Sequence, residues 1–273
     1  MRNRFAVLVL IVFALVGLSC QLTQAASPQP TAQPLPTQPP AATAAVQPSQ
    51  PPAVVTPQPQ IVTQVYTNED PPRYGISLEY PVLQGVDSAA AESFQTIVQG
   101  QMDALLSEFQ TGLDMGPIIT PDASAPSPQN FLTSKFETLY NDHGLVSIHA
   151  ENSNYFYGAA HPNPFSSVIN YSLALRRELA LADLFQPGTA YLQRIADYCM
   201  NQLRKDEWFM FEEGAQPVEE NYRKWNITPE GLRITYDPYQ VAAYAAGYVR
   251  VTVPWSELTD LIDSAGPLAG VVE

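Results

Sequence analysis

The sequence predicts an α+β fold in which an antiparallel sheet is packed by two longer amphipathic helices and a short C-terminal helix. Two stretches, 88–110 and 189–205, repeat apolar residues at helical spacing. Other stretches alternate apolar and polar residues, as strands with one buried face do. Pro254 follows the last alternating stretch and is expected to open the C-terminal helix.

The first helical stretch has an apolar face on which residues recur every three or four positions. These residues are Phe94, Ile97, Val98, Met102, Leu105, Leu106 and Phe109. Asp87 or Ser88 is suited to cap the N-terminus, and Gly112 is expected to end the helix. We expect this helix to lie on a sheet.

A hairpin is predicted where residues 131–140 and 145–150 flank the turn sequence Asn141-Asp142-His143-Gly144. Its second arm places Ser147, His149 and Glu151 on one face, which we expect to be solvated. Similar alternation predicts three further strands: 169–175, 232–236 and 249–253.

The second helical stretch places Cys199 on its apolar stripe. The stripe consists of Leu192, Ile195, Ala196, Cys199 and Leu203. A buried thiol behaves as a small hydrophobic group, so we expect no nucleophilic role for Cys199. If Cys20 carries lipid, Cys199 is the one remaining thiol, which excludes an intrachain disulfide.

The first twenty residues have the pattern of an export signal. Arg2 and Arg4 precede an apolar run over 5–18, which is shorter than the roughly twenty residues that a membrane-spanning helix needs. Leu18-Ser19-Cys20 resembles the lipobox of bacterial lipoproteins. The resemblance implies that residues 1–19 are a signal peptide, that Cys20 is lipidated, and that the protein is extracytoplasmic and anchored to the cell membrane by lipid. An uncleaved signal anchor and an ordinary secretory signal are the alternatives.

Residues 20–63 are predicted to be a disordered tether. Residues 21–63 carry no charge and are rich in Pro, Gln, Thr and Ala, a composition that buries too little apolar surface to fold. The remaining segment, 64–273, is long enough for one large α+β domain or for two fused halves divided near 150.

The charge balance is strongly acidic. The formal net charge of the chain is −14, and loss of Arg2 and Arg4 leaves 11 cationic against 27 acidic side chains, 11 − 27 = −16. Nucleic-acid binding needs a basic surface and is therefore not expected. An acidic surface favours a cationic partner, or serves solubility alone.

Two motifs resemble the RsiV-like domain family. Residues 155–164 read Tyr-Phe-Tyr-Gly-Ala-Ala-His-Pro-Asn-Pro, and residues 236–248 contain a Tyr-x-x-Tyr-x-x-Ala-x-Tyr-Ala-x-Gly-like stretch. Two shorter segments, 181–185 and 251–255, fit the same pattern. The resemblance covers most of residues 66–262 and implies an α+β fold.

The resemblance implies a binding or sensing function. The family includes the extracellular domain of lysozyme-sensing anti-sigma factors and a domain appended to peptidoglycan deacetylases of the PdaC type. Only Met1–Arg4 precede the apolar run, so we expect no cytosolic sigma-binding segment. The deacetylase's paired aspartates and His-x-x-x-His motif do not occur in this sequence, and we expect no catalysis, cofactor or metal. The implied ligand is a cell-wall component such as peptidoglycan, or a cationic secreted protein such as lysozyme.

Six residues in the two motifs are candidates for ligand binding, because tyrosine offers apolar area with a polar tip and histidine lies in a constrained loop before proline. They are Tyr155, Tyr157, His161, Asn163, Tyr239 and Tyr244. His143 and His149 show no ligand spacing to His161, so a metal site is not indicated. The Glu pairs at 212–213 and 219–220 are expected to be solvated.

Two other functions stay open from the sequence. One is a cell-envelope enzyme that acts on peptidoglycan through a site around His161. The other is a purely structural envelope lipoprotein.

Overall fold

The computed structural model of the chain describes residues 59–116 and 129–272. The signal peptide, Cys20 and nearly all of the predicted tether lie outside these residues. The α+β class is confirmed, and the described residues form two sheets and two α-helices. In the described part of the chain, no helix combines the length and the apolar character needed to cross a membrane.

The first sheet has six strands, hydrogen-bonded in chain order. They are β1 (Gln60–Asp70), β2 (Tyr74–Gln84), β3 (Phe131–Asp142), β4 (Leu145–Tyr155), β5 (Asn163–Ser172) and β6 (Arg177–Glu178). All neighbours are antiparallel except β2 and β3, which are parallel. A parallel pair needs a long crossover connection, and the first helix lies in that connection.

The structured part begins earlier than the sequence predicts. Residues 60–63, assigned to the tether, belong to β1 and pair with β2, where Ile61 lies opposite Leu83 and packs against the core. At the other proposed boundary, residue 150 lies within β4, which is paired on both sides.

The helix α1 (Ser88–Met115) packs on one face of the first sheet. The Asp87 side chain caps it by accepting a hydrogen bond from the Ala90 amide at 3.0 Å, as predicted. Gly112 does not end the helix, which continues to Met115. A Cβ atom at Gly112 would lie 2.1 Å from the Phe156 ring, so this glycine makes room for Phe156 to stack on Phe109.

The second sheet consists of β7 (Trp225–Ile227), β8 (Gly231–Tyr236) and β9 (Val249–Pro254). The helix α2 (Tyr191–Leu203) packs against it and buries Cys199 completely, as predicted. Burial raises the pKa of the Cys199 thiol to about 12, so the thiol is protonated at neutral pH. The predicted C-terminal helix is a single 3-10 turn over Trp255–Glu257.

The expectation of a solvated face on β4 is wrong for Ser147 and His149, whereas Glu151 near the end of the strand is exposed. Ser147 and His149 are buried, because the second sheet covers this face of the first. The Ser147 hydroxyl accepts hydrogen bonds from the Asn226 side chain and the Ile227 amide, both at 3.0 Å, and donates to Asn170 Oδ1 at 2.7 Å. A buried polar network therefore joins the two sheets.

Candidate functional site

The two motifs that carry the family resemblance meet in space. The Tyr244 ring lies against the His161 imidazole, with ring centroids 3.9 Å apart, and its hydroxyl donates to the Pro162 carbonyl at 3.0 Å. Tyr239 completes a triangle of rings, with its centroid 5.7 Å from that of Tyr244 and 6.5 Å from that of His161. We call His161, Tyr239 and Tyr244 the aromatic surface.

Hydrogen bonds orient the His161 ring. Its Nδ1 lies 2.8 Å from the Pro162 carbonyl oxygen, which can only accept, so Nδ1 carries the proton. In the neutral ring Nε2 is then an acceptor, and it lies 3.4 Å from the Tyr239 hydroxyl. The contacts of this histidine are thus with aromatic side chains and a carbonyl group.

The loop that presents Tyr239 is held on both sides. Asp237 Oδ1 accepts hydrogen bonds from the Ser166 amide at 3.0 Å and from its hydroxyl at 2.5 Å. Gln240 donates to the carbonyls of Gly214 and Asn221 at 3.1 and 3.0 Å. Tyr239 itself has φ 71°, a strained value for a residue with a side chain, and remains 57% exposed. The surrounding contacts therefore maintain a strained, exposed tyrosine.

Among the described residues, no side-chain hydrogen bond or ring contact joins the other three candidates to this group, although Asn163 directly follows Pro162. Tyr155 is half-buried and stacks on Phe131 with centroids 5.5 Å apart, which is a packing role within the first sheet. Tyr157 is 49% exposed, and Asn163 is an exposed residue at the start of β5. Their part in ligand binding stays a prediction.

An acidic segment flanks the aromatic surface. Two 3-10 turns, Glu212–Ala215 and Glu219–Tyr222, contact the Tyr239 loop through the Gln240 hydrogen bonds. All four glutamates of these turns are exposed, as expected. Glu212 and Glu220 form ion pairs with neighbouring arginines. We call the two segments the acidic turns.

Gly214 is expected to be essential for the position of the Tyr239 loop. A Cβ atom at this buried glycine would lie 1.9 Å from the Gln240 carbonyl oxygen, so a methyl group must displace backbone. We expect Gly214→Ala to lower the free energy of unfolding by about 2 kcal/mol, as overpacking does. Denaturant unfolding measures the loss, and amide NMR shifts over 237–241 report the displacement.

Gly100→Ala is the matched control for this substitution. Gly100 is exposed in the interior of α1 and has open space around its Cβ position, so alanine should stabilise the helix by about 0.5–1 kcal/mol. A Gly214→Ala protein as stable as the wild type would contradict the expected role of Gly214.

Comparison with known protein families identifies two regions. Residues 182–256 match the family described as a protein of unknown function, DUF3298. Residues 67–164 match the family described as Deacetylase PdaC. The chain therefore has one segment similar to each of these two families, here called the PdaC-type region and the DUF3298 region. These matches confirm the similarity to PdaC-type proteins that the sequence motifs indicated. The RsiV-like assignment and the lipobox stay predictions.

Individual relatives match larger parts of the chain than either family segment does. The chain is 25% identical over 146 residues to the peptidoglycan-N-acetylmuramic acid deacetylase PdaC of Bacillus subtilis; the match covers 52% of the chain and 31% of the relative's length. A DUF3298 crystal structure from Bacteroides fragilis aligns with a TM-score of 0.52 at 14% identity, covering 80% of this chain and 98% of that one. At this identity the likeness supports the fold alone. A Pseudomonas aeruginosa DUF3298 structure aligns with a TM-score of 0.49 at 15% identity, covering 76% and 94%.

The aromatic surface combines both regions. His161 belongs to the PdaC-type region, and Tyr239 and Tyr244 belong to the DUF3298 region. Its formation depends on the packing of the two regions, which places loops from distant parts of the chain in contact. Within the described residues, no group of three or more metal-ligating side chains is present.

Two concave features were not predicted from the sequence. One is an open groove of about 820 Å³ in the DUF3298 region, where Trp208 and Met210 are exposed beside Tyr248. The other is a pocket of about 410 Å³ between the two regions, which contains His149. The alternation in β4 does place His149 on the same face as Glu151, but it carries no signal that a second sheet covers that face.

Proposed function

We propose that this chain is a lipid-anchored, non-catalytic extracytoplasmic binding module whose ligand is a cationic secreted protein of the lysozyme type. The aromatic surface beside the acidic turns carries the proposal. The export pattern before Cys20 and the uncharged Pro-rich stretch after it support a place outside the cell, on a tether from the membrane.

The geometry suits recognition of a protein surface. Tyr239 presents a large amphipathic side chain from a loop with little freedom, so little conformational entropy is lost on binding. Tyrosine is enriched among residues that dominate binding energies at protein interfaces. The acidic turns contact the Tyr239 loop, and their exposed Glu213 and Glu219, which form no ion pair among the described residues, would attract a basic partner and accelerate its association.

The family comparison supports a role at the cell wall. The Bacillus subtilis relative is named for an action on peptidoglycan, and residues 67–164 of this chain match the family described as Deacetylase PdaC. The chain spans about a third of that relative's length. We therefore propose a role at the cell wall for this chain, and not the deacetylase reaction. Peptidoglycan itself is the second candidate ligand in this setting.

Calorimetric titration of the full chain in detergent with a basic lysozyme tests the proposal. We expect saturable binding that weakens at least tenfold between low and moderate salt, because screening removes the attraction of the acidic turns. Tyr239→Ala should weaken binding at least tenfold, since removing a well-buried interface tyrosine commonly costs more than about 1.4 kcal/mol.

Tyr157→Ala provides the matched comparison, because Tyr157 has similar exposure but lies outside the aromatic surface. It should change the affinity less than twofold. An affinity that does not change with salt concentration, or an equal loss of affinity in the two tyrosine variants, would contradict the assignment of binding to the aromatic surface. No binding to lysozyme together with saturable binding to soluble peptidoglycan fragments would transfer the function to the second candidate ligand.

A further inference from the structure

A polar pocket between the two sheets has the features of a binding site. Its volume is about 410 Å³. The first sheet contributes Glu137 and His149, which lie opposite each other on β3 and β4, and Glu151 further along β4. The second sheet contributes Arg233 and Arg250. Both regions of the chain therefore build the walls.

His149 is a buried histidine without a protein partner. His149 is only 1% exposed, and neither of its ring nitrogens makes a hydrogen bond among the described residues. The Tyr248 ring packs edge-on against it, with centroids 6.4 Å apart. Buried polar groups in proteins are almost always hydrogen-bonded, and an unmatched one is costly. The imidazole therefore has unused capacity for a ligand in the pocket.

The two arginines also have unused donors. Arg233 Nη2 donates to Glu137 at 2.6 Å, and Arg250 Nη2 donates to Glu151. Each guanidinium has five N–H donors, and the buried Arg233 Nε has no partner among the described residues. The Arg250 guanidinium is further positioned over the Tyr248 ring, 5.3 Å from its centroid. Hydrogen-bond donors thus outnumber acceptors in the pocket, which favours an acceptor-rich ligand.

The charge of the pocket favours a single negative charge on that ligand. Lys135, Arg233 and Arg250 line it against Glu137 and Glu151, an excess of one positive charge in a chain whose net charge is −14. Burial, followed by the nearby Arg250 and Arg233, lowers the pKa of His149 to about 4, so the ring is neutral at pH 7 and adds no charge. A monoanion would balance the pocket.

We propose that this pocket binds the carboxylate group of a small monoanionic ligand, held by Arg233 and Arg250 with His149 donating through its ring N–H. Carboxylate geometry matches the planar guanidinium fork, and phosphate would bring excess negative charge. The volume admits a ligand the size of a sugar acid or an acylated amino acid. The inference does not depend on the proposed protein partner, because the pocket is separate from the aromatic surface.

Calorimetry and histidine NMR on the full chain in detergent test the proposal. N-acetylmuramic acid and N-acetylglucosamine are a matched pair of amino sugars, the first with a carboxylate and the second without one. N-acetylalanine carries a carboxylate on a peptide-like probe. Inorganic phosphate tests whether the pocket prefers a different kind of anion. We expect saturable binding of at least one carboxylate probe and a shift of the His149 ring signals. The chain has three histidines, so His149→Gln identifies these signals.

Arg250→Gln should weaken the binding of the carboxylate probe at least tenfold. Arg73→Gln, which removes an exposed arginine paired with Asp114, should change it less than twofold. Arg250→Gln leaves Glu151 unpaired, so circular dichroism and the His161 ring signals are used to check that the fold is intact. If either changes, Arg250→Lys is the variant to use. It keeps the positive charge but lacks the planar guanidinium fork, and it should therefore also weaken binding. Binding that prefers N-acetylglucosamine or phosphate, unshifted His149 signals, or affinity unchanged in the arginine variants would overturn the proposal. Tyr239→Ala should leave this binding unchanged, which separates it from the lysozyme test.

Discussion

Replacement of Ser147 by alanine is expected to lower the free energy of unfolding by about 4 kcal/mol, because one buried hydroxyl makes three hydrogen bonds, two to the second sheet and one to the neighbouring strand β5. Without it, the Ile227 amide, one Asn226 N–H and Asn170 Oδ1 have no partner. Each buried group left without a partner costs about 1–3 kcal/mol, and partial adjustment keeps the total below the simple sum.

The network continues beyond Ser147. Asn226 also donates to the Ile148 carbonyl at 2.9 Å, and Asn170 donates to the Trp225 carbonyl at 2.7 Å. All of these side chains are buried, and water has no direct access to replace a lost bond. Ser147→Ala and Asn226→Ala should therefore be strongly non-additive, since they remove partly the same bonds.

Denaturant unfolding and thermal melts of the single and double variants measure these effects. For a unit of about this size the loss corresponds to a fall in Tm of roughly 10 °C. Ser107→Ala, on the exposed face of α1, is the control and should stay within about 0.5 kcal/mol of the wild type. A loss below about 1 kcal/mol for Ser147→Ala would show that the two sheets do not depend on this network.

Acidification is expected to destabilise the fold through His149. Its pKa is lowered from 6.5 to about 4, first by burial and then by Arg250 and Arg233, with Glu137 acting in the opposite direction and Lys224 in the same one. Below pH 6.5, His149 therefore binds a proton in the unfolded chain that it does not bind in the folded chain. The contribution of the neutral ring to stability is complete above pH 6.5 and is lost as the pH falls towards 4.

The comparison with His149→Gln isolates this effect from the titration of the many carboxylates. Glutamine is neutral at every pH, so between pH 7 and pH 5 the wild type should lose about 2 kcal/mol more than the variant, and about 3 kcal/mol more by pH 4. Urea unfolding at each pH measures the difference. Parallel stability curves, or an NMR titration of the His149 ring near 6.5, would contradict the expected burial.

Local sequence patterns were sufficient for the elements that depend on nearby residues. The apolar repeat and the Asp87 cap predicted α1, and the stripe through Cys199 predicted α2 and its buried face. Gly112 was misread as a helix end, because a glycine that makes room for a distant ring has the same local appearance as a stop signal. Residues 60–63 of β1 were assigned to the tether, because Ile61 and Val62 follow an uncharged, Pro-rich stretch.

For the candidate residues too, local sequence patterns predicted some features, and others depended on distant parts of the chain. The motifs at 155–164 and 236–248 pointed to His161, Tyr239 and Tyr244, but their contact depends on the packing of two regions that are far apart in the chain. His149 was predicted to be solvated, because alternation along a strand distinguishes its two faces without showing what covers each of them. Trp208 carries no periodic signal and becomes notable only through its exposure beside a groove.

The sequence by itself determined the fold class, the acidic charge, the principal helices with their buried faces and the motifs of the candidate site, since these depend on composition and short-range periodicity. The tertiary structure alone decided that a second sheet covers β4, that Ser147 joins the two sheets, and that His149 lies with Arg233 and Arg250 in one pocket. Those contacts join residues some 80 to 100 positions apart. Their energies come from burial and hydrogen bonding between elements, which no local pattern encodes.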